Sequence, residues 1–245
     1  MSDGVVVGKV SRVARYPVKS MAGEPVAELD LRWTGAHGDR QYAFVRRGNR
    51  SRFPWLTARN APSLVLHRPL FRDPADPRHS PVDVVTPAGE RLPLDHPALA
   101  TSLSEAAGTD VELIQVGRGI FDSMPVSLTT SAFLAAVDTA HALPLDPRRF
   151  RMNIVIESEA SDSTWHGGVL AFGEGGGGAR LLVNDAIPRC AMVTIDPDTA
   201  ARDPSVLRTV AGRFANNVGS YCATLQCGSI RLGDRVRFFP AGPSV

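Results

Sequence analysis

The chain has 245 residues, of which 43% are hydrophobic and 21% charged, so it can build the core of one large domain or two small ones. Its 27 basic and 25 acidic residues leave a net charge of +2, which argues against wholesale binding to nucleic acid or to a membrane. The sequence lacks a leader peptide and an apolar run of roughly 18 residues, and its three cysteines do not form a disulfide framework. We therefore expect a cytoplasmic protein with reduced thiols.

The first part of the chain is predicted to be mostly strand. Residues 5–16 are rich in valine and end before Pro17, and residues 27–32 alternate apolar and charged side chains. Further strands are predicted, in chain order, at residues 41–45, 63–67, 82–86 and 90–94. Residues 68–81 are rich in Pro, Asp and Arg, which is typical of a surface loop.

Helices and strands alternate in the second part. One helix is predicted over residues 97–107, ending at Gly108, and another over residues 131–142, capped by Thr129 or Thr130. A third, short helix begins at Asp203-Pro204 and ends at Gly212. Strands are predicted at residues 111–116, 153–156, 180–183, 191–195, 221–226 and 229–239. The glycine run at residues 174–178 is expected to be a flexible loop, since it lacks the Gly-Lys-Ser/Thr ending of a phosphate loop.

Many short strands with few helices predict a mainly β (α+β) fold with barrel-like architecture. The first helix and the break at Gly117-Arg118-Gly119 suggest a boundary in that region. We place the two predicted domains at residues 1–95 and 96–245.

Cys190 is the candidate for chemistry among the thiols. It follows Pro188 and Arg189 at a turn, and the arginine would favour the thiolate, the form that binds metals. From this local context alone, a small buried hydrophobic role for Cys190 is about as well supported as a chemical one. Cys222 and Cys227 do not match a zinc spacing and are expected to be buried, inert thiols.

Basic and polar side chains recur beside predicted strand ends, as in the runs Tyr16-Pro17-Val18-Lys19-Ser20 and Gly38-Asp39-Arg40. Thr57-Ala58-Arg59 and Arg149-Phe150-Arg151-Met152-Asn153 are two more such runs. Together these residues could converge on an anion such as a phosphate. Taken singly, each could equally be a solvated charge or a structural ion pair.

The six histidines do not form a metal-binding pattern, although His166, beside Trp165, merits attention. A Ser/His/Asp triad stays open, but the sequence has no Gly-x-Ser-x-Gly elbow to support one.

In their order along the chain, these motifs resemble a known family. The runs at 16–20, 38–40 and 57–59 are similar to the β-barrel domain that precedes MOSC domains, where MOSC denotes the C-terminal domain of molybdenum cofactor sulfurase. The resemblance to the MOSC domain itself rests on Arg151 and Asn153, Trp165, Pro188-Arg189-Cys190, Thr194-Ile195-Asp196-Pro197 and the closing run at residues 228–236.

The resemblance implies two β-barrel domains and a molybdenum-pterin cofactor. In the amidoxime-reducing members of the family a cysteine at the position of Cys190 binds molybdenum, a role that suits a soft thiolate. The resemblance further implies a set of residues that bind the cofactor: Lys19, Ser20, Arg40, Arg59, Arg151, Asn153 and Arg189. Pyridoxal phosphate is not expected, because the chain is too short to include a desulfurase domain.

The sequence also departs from the relatives. Met152 stands where they commonly have proline, and the loop before Trp165 carries fewer acids, so the proton donor is undetermined; Asp162 and Asp196 are weak candidates. Three cysteines cannot hold a four-cysteine iron–sulfur cluster, so electrons would come from a separate ferredoxin-type or cytochrome/flavin-type protein.

Two functional hypotheses follow from the resemblance, and a family member that has lost the cofactor is a third possibility. One is a molybdenum-dependent oxidoreductase that reduces small N-oxygenated or similar substrates. The other is a carrier without turnover of its own, which holds the cofactor or carries sulfur as a persulfide on Cys190.

Overall fold

The computed structural model describes residues 4–174 and 178–241. The centre of the predicted glycine loop, residues 175–177, lies outside the described residues. The strands are β1 Val5–Arg15, β2 Glu24–Pro25, β3 Glu28–Arg32, β4 Gly35–Ala36, β5 Tyr42–Arg46, β6 Arg68–Phe71, β7 Val82–Val85, β8 Arg91–Pro93, β9 Val111–Gln115, β10 Val126–Thr130, β11 Ile154–Glu157, β12 Val169–Phe172, β13 Arg180–Pro188, β14 Asn217–Gln226, β15 Gly228–Arg231 and β16 Arg235–Phe239. The α-helices are α1 Pro97–Ala107, α2 Ser131–His141 and α3 Pro204–Arg213. The 3-10 helices are Pro62–Leu66, Pro147–Phe150, Asp162–Trp165 and Ala191–Thr194.

Seven strands close into a barrel in the order β11-β10-β14-β13-β12-β16-β1, with β1 pairing back to β11. Strands β10 and β11 are parallel, and the other neighbours around the barrel are antiparallel. The first strand of the chain thus completes a barrel made otherwise of strands from the second half. Apolar side chains such as Val10, Leu128 and Ile154 fill its interior and are at most 2% exposed.

Strands β3 and β4 pair with β15, and their Leu29, Leu31 and Ala36 pack into the barrel core. The part of the first half that follows β4 forms a second β unit with its own core. It contains the pair β5–β9 and the sheet β6-β7-β8. Val18, Phe44 and Val84 are buried there together with Leu99 and Leu103 of α1. The fold class expected from the sequence, mainly β with a few short helices, is confirmed. The cut between residues 95 and 96 stays a prediction.

The helix ends follow the sequence closely. Thr130 caps α2 through its hydroxyl, which accepts a hydrogen bond from the Phe133 amide at 3.1 Å. Asp203 caps α3 in the same way through the Ser205 amide, at 2.9 Å. Gly108, with φ of +64°, ends α1 in the left-handed conformation that glycine adopts without strain.

Several local predictions were wrong. The apolar runs at residues 63–67 and 191–195 form 3-10 helices instead of strands, and the expected loop at 68–81 begins with strand β6. The strand expected over residues 229–239 is split into β15 and β16. Short apolar runs do not distinguish strand from helix by periodicity, and Pro62 starts the first of these turns with a φ suited to helix. In the part of the chain that the structure describes, the helices are too short or too polar to span a lipid bilayer.

Candidate functional site

All eight residues predicted to form a site line one cavity of about 490 Å³, which lies between the two β units. They come from five separate segments of the chain. The eight residues are Lys19, Ser20, Arg40, Arg59, Arg151, Asn153, Arg189 and Cys190. The volume lies in the range of small-molecule sites, which is roughly 300 to 1,000 Å³. Their roles toward a cofactor stay a prediction.

Backbone pairing brings the distant segments together. Val18 forms a bridge to Tyr42 at the start of β5, and the Lys19 amide donates to the Tyr42 carbonyl at 2.8 Å. Three of the wall residues are non-glycine residues with positive φ: Ser20 at 66°, Arg40 at 51° and Arg151 at 54°. This conformation is uncommon for side-chain-bearing residues and tends to occur at functional sites.

Lys19 is 7% exposed, and its ammonium donates to Asp122 Oδ1 at 2.7 Å and to the Ile120 carbonyl at 3.1 Å. Burial lowers the pKa of Lys19, and Asp122 partly opposes this effect. Asp122 itself is 60% exposed at the side chain. Because solvent can stabilise the exposed Asp122 carboxylate without Lys19, the Lys19 ammonium can exchange Asp122 for a ligand in the cavity at little cost.

Arg40 is held by a fully buried carboxylate. Its Nη1 pairs with Asp39 Oδ2, and the other oxygen of Asp39 accepts from the Tyr16 amide at 2.6 Å. Burial disfavours the charge on Arg40, but Asp39, Tyr16 and Asp122 together outweigh this effect and raise the Arg40 pKa. Arg40 Nη2 also donates to the Arg151 carbonyl at 3.2 Å, so this guanidinium holds the neighbouring segment in place.

Arg151 has unused hydrogen-bonding capacity. Its Nη1 donates to the Met21 carbonyl at 2.6 Å, and its guanidinium lies 4.3 Å from the centre of the Tyr16 ring. Its Nη2 is buried without a hydrogen-bond partner among the described residues. Burial, together with the charge of Arg40, lowers the Arg151 pKa to about 10. A buried, charged donor without a partner destabilises the protein unless an anion accepts its hydrogen bond.

Arg189 and Asn153 are bound to the backbone. Arg189 donates from Nε to the Val218 carbonyl at 2.9 Å and from Nη1 to the Phe150 carbonyl at 3.0 Å. Asn153 is 1% exposed; its Oδ1 accepts from the Ser127 hydroxyl at 3.0 Å and its Nδ2 donates to the Ala14 carbonyl at 3.2 Å. Both side chains therefore hold the cavity wall together.

Cys190 lies two residues beyond the end of β13, where its backbone starts the 3-10 helix Ala191–Thr194. Its thiol is free and the residue is exposed. Cys222 is buried, as expected from the sequence, whereas Cys227 is only half-buried. Arg59 is also exposed and sits beside the aromatic ring of Phe53, at 5.8 Å from its centre.

The residues present fit a cofactor that combines an anionic group with a thiophilic metal. Six cations line the wall, and the Nη2 of one of them, Arg151, has a donor to offer: Lys19, Arg40, Arg59, Arg149, Arg151 and Arg189. No group of three or more His, Cys, Asp or Glu side chains that could hold a bare metal ion occurs within residues 4–174 and 178–241. A metal in this cavity would need ligands from the cofactor as well as the single thiol.

Several residues of the wall were not among the predicted site residues. They include Phe53, Phe121 and Asp122 on loops, Arg149 in a 3-10 helix and Tyr221 on β14. The basic run that contains Arg151 was a usable signal for Arg149. Nothing in the local sequence around Phe121 and Asp122 distinguishes them from ordinary loop residues.

Neither weak proton-donor candidate, Asp162 or Asp196, lines this cavity. Asp196 accepts from Arg149 Nη2 at 2.7 Å and from the amides of residues 198 and 199.

Asp162 is 2% exposed and accepts from Thr129 at 3.1 Å and from Ser220 at 2.5 Å. His166 contacts the same Ser220 hydroxyl at 2.8 Å. The fully buried Ser220 thus contacts both Asp162 and His166. In a catalytic triad the histidine, and not the serine, is the residue that contacts the other two.

Asp162→Asn is expected to raise the melting temperature at neutral pH. Burial raises the pKa of Asp162, so the folded state binds its proton more tightly than the unfolded chain. The contribution of this proton is therefore fully present below the unfolded pKa and is lost as pH rises through the folded pKa. Melting temperatures of both proteins from pH 4 to 8 should converge at the acidic end. A gap that does not change with pH would contradict the assignment.

Comparison with known proteins assigns most of the chain. The model of the MOSC N-terminal beta barrel domain matches residues 7–116, and the model of the MOSC domain matches residues 116–237. No curated protein sequence matches the chain.

Among solved structures, the YuaD protein from Bacillus subtilis is similar with a TM-score of 0.52 and 13% identity, over 96% of this chain and 97% of that one. YiiM from Geobacillus stearothermophilus has a TM-score of 0.39 and 16% identity, over 49% of this chain and 57% of that one. At these identities the first likeness concerns the fold alone. With the two domain models together spanning residues 7–237, the chain belongs to the MOSC family, whose domains are generally associated with binding the molybdenum cofactor.

Proposed function

We propose that this chain binds the molybdenum cofactor in the cavity described above and reduces small N-oxygenated or similar substrates. The observation that supports this proposal is the convergence, in one cavity, of an exposed thiol and six cations from distant segments. A cytoplasmic location is part of the same proposal.

Each wall residue has a task under this proposal. When bound, the cofactor would supply two-electron oxygen-atom transfer at its metal. Cys190 would be the protein's ligand to that metal, since a thiolate is a soft donor. Lys19 and Arg151 would bind the anionic part, assisted by the Ser20 hydroxyl and by Arg59 at the edge. Arg40 and Arg189, already bound within the protein, would fix the wall on which the cofactor rests.

Electrons would come from a separate protein of the ferredoxin or cytochrome/flavin type. The three cysteines of these 245 residues cannot furnish a four-cysteine cluster.

Metal and pterin analysis of protein expressed in its native cytoplasm, followed by an activity assay, tests the proposal. We expect bound molybdenum and pterin, and turnover of an N-hydroxylated substrate with an artificial electron donor. Protein from cells grown without molybdate is the matched control and should show neither metal nor turnover. A metal-loaded protein that never turns over would contradict the reductase.

One observation favours a second candidate function. Because Cys190 is exposed, its thiol could also carry sulfur as a persulfide, or the site could hold the cofactor for delivery to another enzyme. Transfer of cofactor to an apo-enzyme, or a sulfur adduct on Cys190 in mass spectra, would favour this carrier over the reductase.

A further inference from the structure

A second cavity of about 380 Å³ adjoins the first, and three of its five arginines, Arg12, Arg68 and Arg148, do not line the first cavity. The two cavities share part of their walls, namely Arg149, Arg151 and Met192. The second cavity lies between β1, the turn that joins β7 to β8, and the 3-10 helices Pro62–Leu66 and Pro147–Phe150. Neither Cys190 nor Lys19 lines it.

The charges of this second cavity are not balanced. Five arginines line it, with Asp198 as the acidic lining residue. Asp198 is already bound by Arg148, whose Nη1 donates to its Oδ1 at 2.9 Å. Arg149 is paired with Asp196. The remaining cations, Arg12, Arg68 and Arg151, form no ion pair with a carboxylate in the described part of the chain.

A buried donor supports a ligand at this place independently of the charge count. The Arg149 side chain is 10% exposed, and its Nε is buried without a hydrogen-bond partner among the described residues. The Nη2 of Arg151 is likewise buried without a hydrogen-bond partner among the described residues. Two unpaired guanidinium donors in the shared wall are costly, and an anion in either cavity could satisfy them.

Most of the remaining lining is apolar and fits the body of a small molecule. It includes Val65, Leu66, Pro87, Met192 and Ile195. An inorganic anion would use the arginines and leave these apolar surfaces uncovered. A ligand with a ring-sized apolar body and one charged end uses both.

We propose that this second cavity binds an organic phosphate that carries an apolar ring, with Arg12 and Arg68 as its specific phosphate contacts. This proposal goes beyond the cofactor site, because its recognition depends on residues that do not line the first cavity. Arginine favours this role because its planar donors match the oxygens of a phosphate.

Binding of phenyl phosphate to the purified chain, measured by calorimetry at low salt, tests this proposal. We expect saturable binding that is weakened by added salt, and much weaker binding of phenol or inorganic phosphate alone. Arg12→Gln combined with Arg68→Gln should lower the affinity by about a hundredfold, or about tenfold for each charge-assisted contact.

The matched control removes two charges elsewhere. Arg208 and Arg213 are exposed on α3 and line neither cavity. Their double replacement by glutamine should leave the affinity within about twofold of wild type, and melting curves of both double variants will confirm that they are folded. Absence of saturable binding, equal loss in both double variants, or loss in Lys19→Gln with retention in Arg12→Gln/Arg68→Gln would each overturn the proposal. The last result would place the phosphate in the first cavity instead.

Discussion

Cys190→Ala is expected to remove most of the molybdenum from the protein without unfolding it. Since Cys190 is exposed and its thiol makes no hydrogen bond within the described residues, its truncation should cost less than about 0.5 kcal/mol of stability. If the thiolate binds the metal, its loss removes the protein's soft donor to it. Turnover should fall together with the metal.

The measurement is molybdenum and pterin content per chain in natively expressed wild type and variant. Cys227→Ala is the matched control, because Cys227 is a free, half-buried thiol outside both cavities, and it should keep wild-type metal. Equal molybdenum in wild type and Cys190→Ala would rule out Cys190 as the ligand.

The same experiment separates the two ends of the site. Lys19 and Arg151 would hold the anionic part of the cofactor and do not depend on the thiol. We therefore expect Cys190→Ala to keep more of its pterin than of its molybdenum. A parallel loss of both would mean that the thiol, and not the cations, dominates retention.

Local signals in the sequence predicted elements whose stability is local. Leu29 and Leu31 alternate with charged residues, and both are at most 1% exposed in strand β3. The helix α1 has the predicted bounds, since Gly108 provides a chemical stop that depends on no distant contact.

Elements that depend on distant pairing were missed. Strand β10 pairs with β11 and β14, and β12 pairs with β13 and β16. Val126–Thr130 alternates apolar and small polar side chains over only its first four residues, which is too short to predict a strand, although all five residues are buried. The rest of the fold covers both faces of β10, and a run of five residues does not predict such burial.

The site could be predicted only as a set of parts. Each predicted site residue stands beside a turn, among them Lys19, Arg40 and Cys190. A lone cation at a turn is usually a solvated charge, and a lone cysteine is usually a small buried hydrophobic residue. Barrel closure by β1 and the bridge from Val18 to Tyr42 bring them to one cavity. Only the order of the motifs, compared with a known family, linked them before the fold was seen.

The cations of the first cavity differ in how much the fold depends on them, and this difference predicts opposite results for Arg40 and Arg151. Asp39, the partner of Arg40, has a side chain that is 0% exposed. Removing Arg40 would leave that carboxylate buried and without its cation. Arg40→Met should therefore destabilise the protein by about 3 to 5 kcal/mol, measured by chemical denaturation.

Arg151→Met should instead leave a folded protein that retains its cofactor poorly. Arg151 neutralises no buried carboxylate; it donates to the Met21 carbonyl and is left with an unpaired Nη2. The methionine loses one hydrogen bond and the guanidinium's contact with the Tyr16 ring, but it removes a charge that burial and Arg40 disfavour. We expect stability within about 1.5 kcal/mol of wild type.

Cofactor retention is the decisive measurement for Arg151→Met. Loss of one charge-assisted contact to an anion should weaken binding by about ten- to a hundredfold, so pterin should be depleted after gel filtration. Arg213→Met, which removes an exposed charge on α3, should retain pterin like wild type. Normal pterin in Arg151→Met, or unfolding of Arg151→Met comparable to that of Arg40→Met, would show that Arg151 serves the fold and not a ligand. The unpaired Nη2 of Arg151 thus distinguishes a residue that is expected to bind an anion from residues such as Arg40 that stabilise the wall.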